Sequence, residues 1–184
     1  MPALLAMGGV AMASPVASPK LAPLPQALPK RCEPLAKLPA SATIPGPALS
    51  AHVSVAKCMA MVAMDDIAPA PDDVAIARLN VAVAPSIVLL DSVIGAGDPY
   101  WVLVAQDAKR GLYIGMIVRV RASLVNADSR AHDALEVRLA PWQTEASRAT
   151  RAIIELDRSD PELARRDPVA AGIMSRAIGE RGAR

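Results

Sequence analysis

The chain has no phenylalanine, and its aromatic side chains are limited to Tyr100, Tyr113, Trp101 and Trp142. Any core must then be built from Ala, Val, Leu, Ile and Met, and such small aliphatic side chains suit closely packed helices. Histidine and cysteine are equally scarce. His52, His132, Cys32 and Cys58 could in arithmetic make a zinc set, but no C-x-x-C, H-x-x-x-H or HExxH spacing is present, so no metal or cofactor is expected. No block of five or six like charges occurs, and the formal charge is only +2, which gives nucleic acid no footprint. Long apolar runs are missing too, because Pro15 and Pro19 cut the first one and no later window reads as about 18 clean apolar residues. A transmembrane span in the mature chain is not expected.

Glycine motifs are absent in the same sense. Gly95-Ala96-Gly97 has Tyr100 where a dinucleotide fingerprint requires its third glycine, and no GK[ST] follows. The glycines read as a helix C-cap.

What is present begins at the first residue. Met1 to Pro19 carries no charged side chain and contains Ala3-Leu4-Leu5-Ala6-Met7, then the small-x-small step Ala11-Met12-Ala13. This reads as a signal peptide over 1–13 with cleavage after Ala13, although the first basic residue, Lys20, follows the apolar stretch instead of preceding it. Export to the periplasm or exterior is the expectation, with a cytoplasmic protein bearing a disordered leader as the alternative. Residues 14–47 form a proline-rich spacer in which Pro19, Pro23, Pro25, Pro29, Pro34, Pro39 and Pro45 exclude a continuous helix or central strand.

Beyond the spacer the periodicity is helical. Ala48 to Met64 places Leu49, Val53, Ala56 and Ala60 on one face. Asp72 caps a second helix from about Asp73 to Ile94 with Leu79, Val83, Leu90 and Ile94 on one side, and Pro85 must kink or split it. Asp98-Pro99 opens a third segment toward Lys109-Arg110. Leu112 to Val125 alternates in part as a strand would, but a lone strand has no partner, so helix is expected. Leu135, Leu139, Trp142, Ala146, Ala149, Ile153 and Leu156 follow a 4-3 spacing, the clearest amphipathic pattern in the chain, with Pro141 interrupting or starting it. The reading is an all-α single domain, a bundle of about four helices over 48–158, followed by a charged tail over 159–184 that forms short or frayed helix.

Function is less legible. Ser54-Val55-Ala56-Lys57 matches S-x-x-K, the nucleophile motif of penicillin-binding proteins and class A β-lactamases, which would make Ser54 a nucleophile and Lys57 its helper. Their companion K-T-G and S-D-N motifs are missing. The favoured reading is an exported, non-catalytic binding or structural module. A small serine acyl-enzyme and a membrane-peripheral protein held by an uncleaved leader are the alternatives. The seam Leu135, Leu139, Trp142, Ile153 and Leu156 is expected to pack on the protein's own core, with self-association or a protein partner as its other use. In an oxidising compartment Cys32 and Cys58 would pair, joining the spacer to the first helix and stabilising the fold by about 3 to 4 kcal/mol.

Overall fold

The computed structural model describes residues 21–37, 46–124 and 128–182. The leader over 1–13 and its cleavage after Ala13 lie outside the described residues, as do the spacer prolines Pro15, Pro19, Pro39 and Pro45. Described residues form seven helices and no strand: α1 (Glu33–Ala36), α2 (Pro47–Asp66), α3 (Asp73–Gly95), α4 (Pro99–Arg121), α5 (Ser129–Ser159), α6 (Pro161–Arg166) and α7 (Pro168–Gly182). The four long helices are those the periodicity anticipates. The other three are an addition to it, and α1 places a helical turn inside the expected extended segment.

Local chemistry fixes the helix ends. Asp72, Asp98 and Asp128 each accept a hydrogen bond from a backbone amide three residues on, at 2.8, 3.0 and 2.8 Å. Each such cap stabilises its helix by about 1 kcal/mol. Gly97, at φ 78°, ends α3 in the left-handed conformation that glycine adopts without a Cβ clash. Leu112 to Arg121 is helical and continuous with the segment that Asp98 opens, so the two expected pieces are one helix of 23 residues.

Pro85 and Pro141 neither split nor start a helix. Both lie inside one, in α3 and α5. The carbonyls that lose their amide partners belong to Val81 and Val137, whose residues are 75% and 76% exposed, so the missing bond falls on the exposed face of each helix.

Helix α4 is central, packing against α2, α3, α5 and α7. One core joins the second half of α2, the first half of α3, the second half of α4 and the first half of α5, around Leu79, Val83, Met116, Leu135, Leu139 and Trp142. A second lies between the first half of α2, the end of α3 and the start of α4. A third joins Leu103 and Ile153 to α6 and α7. The tail is therefore part of the bundle. Pro161 and Pro168 start helices instead of breaking them, and the small side chains Ala170 and Ala177 let α7 approach closely enough to bury Ile173 and Met174.

Helices α2 and α3 are long and apolar enough to cross a membrane by length and composition, where the sequence suggested no such window. Both helices reach that hydropathy despite charged side chains within them, such as Lys57 of α2 and Arg78 of α3, which break a clean apolar run. Each buries one face against the bundle.

On the surface, Arg121 of α4 grips Glu136 of α5 through two hydrogen bonds of 2.7 and 2.5 Å, and Gln143 donates a third to the same carboxylate. The Arg121 hydrogen bond holds the Glu136 carboxyl below its ordinary range. A depressed folded value means the contribution is present above the unfolded glutamate value, near 4.3, and is lost as pH falls through the folded one. Both side chains are nearly half exposed, so solvent limits the effect to about 0.5 kcal/mol. Thermal melts of Arg121→Gln are expected to converge on wild type as pH falls from about 6 to 3. An unchanged gap across that range would assign the ion pair no part in acid stability.

Candidate interaction surface

The structure places the residues singled out from sequence in three different settings. Ser54 is half-buried and Lys57 exposed on α2, and the apolar groove described below includes neither. Cys32 and Cys58 are joined as a disulfide, with α-carbons 5.7 Å apart. The seam residues Leu135, Leu139, Trp142 and Ile153 are buried and Leu156 is half-buried. They pack on α3, α4 and α7, so the protein's own core uses this face. Trp142 also donates its indole N–H to the Asn80 side-chain oxygen of α3 at 2.7 Å.

Charged groups within the bundle bind one another. Arg110, 5% exposed, donates to one oxygen of Asp107 at 2.7 Å, and Arg176 of α7 donates to the other at 3.2 Å. This chain ties α4 to α7 and satisfies charges that burial would otherwise penalise. The Tyr113 phenol is pushed up by burial and by the carboxylates of Glu145 and Asp91, which keeps it neutral. Among the described residues no three His, Cys, Asp or Glu side chains form a metal-holding group.

The surface that stands apart is the outer face of α3. Its inner side chains, Ile76, Leu79, Val83, Leu90 and Val93, are buried. A second apolar row faces water: Val74, Val81 and Val88 are 61%, 75% and 57% exposed at a seven-residue spacing, with Ala77 and Ala84 between them. An open groove of about 670 Å³ lies along the first half of this row, lined by Ile67, Val74, Ala77, Val81 and Ala82 and flanked by Asp73 and Arg78. Scattered valines on a surface are ordinary, but these three share one helix face and two of them line the groove. Arg78 sits near one end of the row and Asp91 near the other, where Lys109 of α4 holds it at 2.7 Å.

Sequence reasoning missed this row because α3 is apolar on nearly every side. Val81 and Val83 are the same residue type two positions apart, and only the packing of the bundle separates the exposed one from the buried one. The seven-residue recurrence of valine was the available signal.

No family model, curated protein or solved structure matches this chain.

Proposed function

We propose that this protein is an exported, non-catalytic helical module that acts by contact through the outer face of α3, and that the contact is with a second copy of the same chain. The row Val74, Val81 and Val88 carries the reading. The Cys32–Cys58 disulfide supports an oxidising compartment, since such bonds persist outside the reduced cytosol.

Self-complementarity favours a second copy over an unrelated protein. An antiparallel pairing of α3 about a two-fold axis at its midpoint, near Ala84, overlaps the helix over its whole length. That register sets Val81 against the partner's Val88, twice by symmetry. Valine and alanine in alternating seam positions allow close approach of the two helices. One helix face is a small interface, so weak association is expected, at roughly micromolar to millimolar concentration.

Sedimentation velocity of the oxidised full chain across that range is the test. Wild type should shift from monomer toward dimer as concentration rises, and Val81→Glu should remain monomeric with unchanged circular dichroism. A wild type that stays monomeric at millimolar concentration would remove the proposal. Flotation with phosphatidylcholine vesicles separates the membrane-peripheral alternative, in which the same valines would meet lipid and wild type would rise with the vesicles.

A further inference from the structure

The second core is completed by a segment that belongs to no long helix. Residues 21–32 run beside α2, and Leu21, Leu24 and Leu28, with Leu35 of α1, pack on Val53, Val55 and Ala56 of α2, Leu89, Leu90 and Val93 of α3, and Trp101 and Ala105 of α4. Without this strap, those three helices would present an apolar cleft to water.

Two polar devices hold the strap in register. Buried His52 spans from its own helix, where Nδ1 lies 2.7 Å from the Ala48 carbonyl, to the strap, where Nε2 lies 2.8 Å from the Ala22 carbonyl. A neutral ring can donate to one of these oxygens and an imidazolium to both. The Cys32–Cys58 disulfide then anchors the far end of the strap to the middle of α2. Gly46, with φ 72°, opens α2 where an added Cβ would lie 2.9 Å from Leu49 Cδ1 and 3.3 Å from Trp101 Nε1, so the chain enters the helix hard against the cleft wall.

These features are those of a peptide-recognition site with its ligand attached. Leu21, Leu24 and Leu28, at three- and four-residue spacing, are half-buried against the three helices, a buried side chain reads a backbone carbonyl, and Pro23, Pro25 and Pro29 lower the entropy lost when the segment is ordered. We propose that the cleft between α2, α3 and α4 is a binding site for extended, leucine- and proline-rich protein segments, occupied in cis by residues 21–32 and latched by the disulfide. A covalently held ligand has an effective concentration no free segment can match, so the latched site rejects partners. A dithiol opens it: two electrons and two protons pass to the cystine, leaving thiols on Cys32 and Cys58 and a disulfide in the reductant. This site is distinct from the outer face of α3, and its test does not depend on self-association.

The probe is a fluorescein-labelled peptide of residues 21–31, followed by anisotropy against the full-length protein. The oxidised chain should bind negligibly. The full-length variant Cys32→Ser/Leu24→Asp/Leu28→Asp, unlatched and with a strap that no longer fits, should bind at least tenfold more tightly, and a peptide carrying the same two Leu→Asp changes should not bind it. A helical variant that takes up no more peptide than the oxidised wild type would overturn the proposal, as would equal binding of the altered peptide. Should that variant lose its helix, Cys32→Ser alone replaces it. It should show faster amide exchange over 21–31 than the oxidised wild type and should take up more peptide, and failure of either result overturns the proposal in the same way.

Discussion

Replacing Cys32 and Cys58 by serine is expected to lower the unfolding free energy by about 3.5 kcal/mol, the chain-entropy value for a cross-link spanning 26 residues. The bond restricts the unfolded chain, and in the folded state it holds the strap against the second core. Several kcal/mol is a large share of the stability of a domain this size. Urea denaturation of the oxidised protein and the double variant, read by circular dichroism, measures the difference. A similar drop is expected for wild type in dithiothreitol. Coincident curves would show that the strap is held by packing alone. Because the strap's leucines belong to the second core, the variant's loss of structure should begin there, with amides of 21–32 exchanging first.

Trp142→Ala is expected to cost about 3 to 5 kcal/mol, the range for removing a large buried aromatic side chain from a core. The indole fills the space between α3, α4 and α5, and its N–H satisfies the Asn80 side chain. Trp142→Phe separates the two contributions. It keeps most of the apolar volume and leaves the Asn80 oxygen to solvent, so a loss of about 1 to 2 kcal/mol is expected. Equal losses in the two variants would mean that the hydrogen bond, and not the packed ring, holds α5 to α3. The double variant Trp142→Phe/Asn80→Ala should lose little beyond Trp142→Phe, since the two side chains act on one contact.

That the seam would pack inward was legible from sequence, because α5 alternates apolar and charged residues strongly enough that Leu135, Leu139, Trp142 and Ile153 could share only one face. The buried side of α3 was also readable: Leu79, Val83 and Leu90 are buried as their spacing suggests. Its exposed side was not, since apolar residues fill both sides of that helix and hydropathy carries no phase there. Pro85 and Pro141 misled in the opposite direction. A proline's cost depends on whether the carbonyl it strands can reach water, and that depends on the bundle. The tail looked frayed for its charge, its glycines and Pro168, yet its alanines and Ile173 and Met174 build a core with Leu103 and Ile153 that is visible only once α4 and α5 are side by side. The cysteine pairing was accessible because two thiols leave one intramolecular bond to consider. The cleft beneath the strap was not, because it requires three helices and a segment whose prolines read as spacer.

Methyl chemical shifts test contact through the outer face of α3 residue by residue. Spectra of the oxidised full chain, labelled at valine methyls, would be recorded from about 10 μM to 1 mM, within the expected association range. Concentration-dependent shifts are expected at Val74, Val81 and Val88, with buried Val83 and Val93 of the same helix unchanged. Shifts confined to other valines, or none at all while the protein remains folded, would contradict that contact.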